Sequence, residues 1–78
     1  MLSTTAKLLL ITLRACAERE EEHADGTRWG LVYLDNARPD DMPARAFAGY
    51  LSALKNAELY HSLNDDCFGL VKLSNKKS

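Results

Sequence analysis

Apolar positions near the amino terminus recur at helical spacing. At about 100° per residue, Leu2, Ala6, Leu9, Leu10, Leu13, Cys16 and Ala17 fall on one stripe. Residues 2–23 are therefore predicted to form one long helix, capped by Ser3 or Thr4 and stopped by Ala24-Asp25-Gly26. Lys7, Arg14, Glu18 and Glu21 lie to one side of the stripe and face solvent. Leu8, Ile11 and Ala15 fall outside it, on a face flanked by Thr4, Glu18 and Glu22. They are either exposed or covered by a loop, and two large aliphatics at that spacing mark a candidate dimer contact.

The pattern then changes period. Trp29-Gly30-Leu31-Val32-Tyr33-Leu34 is aromatic and β-branched between turn signals and predicts a short strand. Residues 35–41 are rich in turn formers, with room for at most one distorted helical turn. Asp40 or Asp41 is expected to cap a second helix over residues 43–57, with Pro43 in its first turn. Phe47, Tyr50, Leu51 and Leu54 share one face of it at i, i+3, i+4, i+7 and define its core side. Residues 59–63 and 67–73 read as two strands joined by an Asn64-Asp65-Asp66 turn, a hairpin. Residues 74–78 read as a polar, basic tail, leaving residues 1–73 as a single domain.

Composition narrows the function classes. The chain has 78 residues, 46 % hydrophobic and 27 % charged, with a formal net charge of −1. That is globular composition, at a size where one core only just outweighs chain entropy. The near-neutral total hides a local charge of −4 over residues 18–25, made of five acids and one Arg. No strong overall field draws the protein to nucleic acid or to an anionic membrane. The run 8–13 after Lys7 has six residues, below the roughly seven to fifteen of a signal peptide's apolar region, and Arg14 interrupts it. A core helix is the better reading, and no stretch approaches the roughly twenty apolar residues of a membrane span. Cys16 and Cys67 are too few for a disulfide framework. They are expected to be reduced, buried thiols in a cytoplasmic protein.

The order helix, strand, short helical or turn segment, helix, hairpin resembles the winged helix-turn-helix domain. The local match runs from Trp29 to Leu73. The segment 45–57 takes the place of the recognition helix and leads directly through Leu59-Tyr60 into a wing-like hairpin. The resemblance implies an α+β, winged-helix-like fold: a long amino-terminal helix, a short strand, a recognition-type helix and a carboxy-terminal β-hairpin. Glu58 stands where a glycine often ends the recognition helix, which leaves its exit geometry open. Asp65 and Asp66 at the wing tip would repel phosphate.

The outward face of the second helix is the expected binding surface: Arg45, Ala48, Gly49, Ser52, Ala53 and Asn56, with Lys55 and Lys72 as nearby cations. The resemblance implies that this face enters a major groove, Arg45 reading guanine or phosphate while Ser52 and Asn56 contact base edges or backbone. Its small residues accept a partner helix equally well. The partner is accordingly expected to be double-stranded DNA or a protein, for a regulatory accessory protein that assembles as a homodimer through Leu8, Ile11 and Ala15. No enzyme, cofactor or metal centre is expected. His23 falls at an acidic helix end and is expected to be solvated, and His61 lies on a strand. No nucleophile has a visible partner, and His61 with Cys67 falls short of the ligands zinc requires.

Overall fold

The computed structural model describes residues 2–63 and 67–74. Helix α1 spans Thr4–Cys16, and its first turn closes on the Ser3 hydroxyl, which accepts from the Ala6 N–H at 3.1 Å. Ala6, Leu9, Leu10 and Leu13 are buried, with Leu2, Cys16 and Ala17 packed half-buried beside them. Leu8 and Ile11 stand 59 % and 60 % exposed, and Ala15 is exposed as well.

The expected helix over 2–23 ends seven residues early. At Ala17 the backbone turns extended (φ −61°, ψ 128°), and Arg19–Glu22 form strand β1, antiparallel to β2, Arg28–Tyr33. The glutamates favour helix, but propensity differences of a few tenths of a kcal/mol per residue yield to a ladder of cross-strand bonds. Ala24-Asp25-Gly26 is the hairpin turn of that pair. Asp25 accepts from the Thr27 hydroxyl at 2.7 Å and the Thr27 N–H at 3.0 Å, while Gly26 takes φ 88°. Those two bonds, the hydroxyl first, hold the Asp25 carboxyl below its ordinary pKa. An Arg28–Glu20 ion pair spans the two strands. All four residues of β1 are charged and exposed, a pattern that blunts a sheet edge against pairing with other chains.

After β2 comes the single turn α2, Leu34–Ala37, followed by α3, Ala44–Asn56. Neither Asp40 nor Asp41 caps α3. Its N-cap is Pro43, with no side-chain cap, and both aspartates are exposed. The approach is held by the Arg38 guanidinium donating to the Met42 carbonyl at 2.7 Å and by the Met42 N–H donating to Pro39 at 3.0 Å. Pro43 also presets its own φ at −61°.

The far end of α3 answers the question posed by Glu58. The Leu59 N–H donates to Leu54 O at 2.9 Å and the Glu58 N–H to Lys55 O at 3.0 Å, the paired bonds of a Schellman motif. Glu58 occupies the left-handed position, φ 63°, that glycine usually fills. The chain thus leaves α3 directly into β3, Tyr60–Ser62, and returns along β4, Phe68–Ser74.

The four strands form one antiparallel sheet in the order β1-β2-β4-β3. Val32, Tyr60 and Val71 join Leu9, Leu10, Leu13, Ala37, Phe47 and Leu54 in one core between sheet and helices. A bond from Arg14 Nε to the Lys72 carbonyl, 2.8 Å, ties α1 to β4. The fold is α+β, and the arrangement is compatible with a small winged-helix-like domain. The thiols are placed otherwise than expected: Cys16 is half-buried at the rim, Cys67 is exposed where the chain enters β4, and neither is in a disulfide.

Candidate functional site

Packing sets the direction of α3. Phe47 and Leu54 point into the core, with Tyr50 and Leu51 half-buried on either side. The opposite face consequently carries Arg45, Ala48, Gly49, Ser52, Lys55 and Asn56, all exposed, with Ala53 half-buried at its margin. A Cβ added at Gly49 would meet nothing within 4 Å, so the helix backbone itself is accessible there.

This face is bounded by two depressions. On one flank, Ala46, Gly49, Tyr50 and Ala53 line a shallow groove with Leu2 and Ser3 from the start of α1. On the other, Ala48, Ser52 and Lys55 face β3 and the start of β4 across a cleft of about 260 Å³. Lys72 does not belong to either. It is paired in register with Trp29, and strand alternation turns its side chain to the sheet face away from α3. The remaining cations of the proposed surface, Arg45 and Lys55, stand on the helix itself. Asp65 and Asp66, expected at the tip of the hairpin, lie outside the described residues.

Tyr60 forms the floor of the cleft beside β3. It is only 2 % exposed, and burial pushes its hydroxyl pKa up. Its ring lies over Gly69 on the neighbouring strand, where a Cβ would collide with the ring and the hydroxyl. The pairing of a buried aromatic with a cross-strand glycine brings Tyr60 into the lining of the cleft, and among the described residues no buried side-chain oxygen or nitrogen is left without a partner. Sequence reasoning gave Tyr60 only a place in the hairpin. Its relation to Lys55 and Ser52 depends on how β3 packs against α3, which no local spacing encodes.

The other face of the sheet holds a second unanticipated grouping. Trp29 is 5 % exposed yet lies outside the main core, with the His23 ring stacked at 5.6 Å and the His61 ring tilted at 4.5 Å. The Trp29 indole N–H donates to the Thr27 hydroxyl at 3.0 Å. His23 is therefore half-buried against an aromatic ring, in contrast to the solvated helix end expected for it, because β1 carries it across the sheet. Among the described residues, no three of His, Cys, Asp and Glu gather to hold a metal ion. No described helix is long and apolar enough to cross a membrane.

Among protein-family models, curated proteins and solved structures, none matches this chain.

Proposed function

We propose that the protein is a non-enzymatic, winged-helix-like module that binds duplex DNA through the outward face of α3. The observation that carries this reading is the placement of Arg45, Ser52 and Asn56, exposed together on a helix whose other face is locked into the core. A single helix presenting a guanidinium, a hydroxyl and an amide along one face has the donors and acceptors that major-groove edges require. The strand order β2-β4-β3 is compatible with a wing hairpin that follows a recognition helix.

Charge sets the expected strength. Two cations on the helix neutralise few phosphates, so one copy binds weakly and steeply loses affinity as salt rises. Pairing of two copies through Leu8, Ile11 and Ala15 would double those contacts. Fluorescence anisotropy on a mixed-sequence duplex at low salt tests the reading. Arg45→Ala should weaken binding by about tenfold or more, and Leu8→Glu with Ile11→Glu should both lower the native mass to one chain and weaken binding. Absence of duplex binding at low salt overturns it.

A second reading has its own support. The groove beside Gly49 and Ala53 has an open helix backbone and an apolar wall from Leu2 and Tyr50, which fits a helix of a protein partner. In that case Gly49→Leu abolishes capture of the partner while Arg45→Ala leaves it intact, the reverse of the DNA expectation.

A further inference from the structure

We infer that the groove beside Gly49 is filled by helix α1 of a second copy of this chain, each copy seating its Leu8 and Ile11 in the groove of the other. Among the described residues, Leu8 and Ile11 are the large apolar side chains left exposed. They form a ridge with Thr4 and Ala15, spaced four, three and four residues apart, on the side of α1 opposite its buried stripe. The groove has the complementary shape. Ala46, Gly49, Tyr50 and Ala53 line it with Leu2 and Ser3, and a second depression that shares Leu2 and Ala53 extends it past Asn56 to Ala57. The alanines and the open backbone at Gly49 let two helix axes approach toward the short end of the roughly 8–10 Å range.

Length, charge and area support this occupant. The ridge from Thr4 to Ala15 and the groove from Ala46 to Ala57 each cover eleven residue steps, about 16 Å of helix. No residue of the ridge or of the groove wall is charged, so the contact strands no unpaired ion. At about 100° per residue, Ala46, Gly49, Tyr50 and Ala53 occupy one arc of α3, while Arg45, Ser52, Lys55 and Asn56 occupy the next. The second copy takes the apolar flank and leaves the polar flank to DNA. One such contact buries on the order of 500 Å², too little to hold two chains, whereas two related by a two-fold axis bury on the order of 1,000 Å², the weak end of specific association. Ridge and groove belong to the same helical layer, where one axis can serve both contacts. The inference rests on the pairing of copies proposed above and is independent of DNA binding.

The test uses the whole protein and no nucleic acid. Sedimentation equilibrium from roughly ten micromolar to a millimolar should show one chain passing to two. Gly49→Leu fills the groove at a position where a Cβ meets nothing, and it should raise the dissociation constant at least about tenfold. Leu8→Glu with Ile11→Glu should do the same, whereas Arg45→Ala, on the polar flank, should leave the mass unchanged. Mixing two variants then reads the seat directly. Unlabelled Gly49→Leu chain, added to isotope-labelled chain carrying Leu8→Glu and Ile11→Glu, should shift the amide resonances of Ala46, Gly49 and Ala53 and spare those of residues 8 and 11. A Gly49→Leu chain that pairs like the unaltered protein sets ridge against ridge and overturns the seat while the pairing stands. Shifts centred on residues 8 and 11, or no shift at roughly a millimolar, overturn it as well. An unaltered protein with the mass of one chain at that concentration overturns pairing and seat together, whatever duplex binding shows.

Discussion

The two long helices have the same length, thirteen residues each, and opposite designs. Helix α1 is tied down throughout: a serine cap at its start, four buried side chains along it and an arginine bond from its last turn to β4. Helix α3 buries only Phe47 and Leu54, starts on a proline without a side-chain cap and ends on a glutamate in a glycine's conformation. The first is built as a structural element. The second keeps just enough anchorage to present its other face. Concentrating stability in one helix leaves the exposed composition of the other less constrained by packing, at the expense of local rules of capping and propensity.

The largest effects should come where both helices meet the core. Leu13 and Leu54 are each completely buried, and truncating either to alanine should cost about 3 kcal/mol, seen as a lower urea midpoint at unchanged slope. A loss under about 1 kcal/mol at Leu54 alone would mean that α3 is less anchored than its packing indicates. The starts of the helices should then differ. Ser3→Ala should cost about 1 kcal/mol, whereas Asp40→Ala and Asp41→Ala should each stay within about 0.5 kcal/mol. Equal losses would restore an aspartate as the cap of α3. The far end of α3 should respond in the opposite sense, since Glu58→Gly relieves a left-handed backbone and should gain roughly 0.5–1 kcal/mol in chemical denaturation.

The last contrast is confined to alkaline solution. Tyr60, packed where α3 meets β3, has its hydroxyl pKa raised by burial, so the unfolded chain releases this proton at lower pH than the folded one. The contribution of the neutral phenol is complete below the ordinary value near 10 and is lost as pH rises through the folded one. Tyr60→Phe should flatten the fall of stability above pH 10, measured as the melting temperature against pH, and leave the pH dependence near neutrality unchanged. An unchanged slope would show that the hydroxyl is more open to water than its surroundings imply.

Much of this architecture is written in hydrophobic spacing. The stripe through Leu9, Leu10 and Leu13, the face through Phe47 and Leu54, and the strand beginning near Trp29 each follow from one local period, and each stands where that period puts it. Strand β1 escapes such reading because all four of its residues are charged helix formers, and its pairing with β2 is decided by the turn around Asp25 and Gly26. The outward positions of α3 were legible for the same reason as its core. Tyr60 at the cleft and the imidazoles around Trp29 were not, since both groupings join residues from different strands.

The enclosure of Trp29 has a practical consequence. It is the one tryptophan of the chain, and its two aromatic neighbours come from beyond β1 on one side and from β3 on the other. A single indole therefore touches both outer margins of the sheet at once. Its emission is a native optical reporter, one that registers the peeling of either margin without a label and without altering the α3 surface.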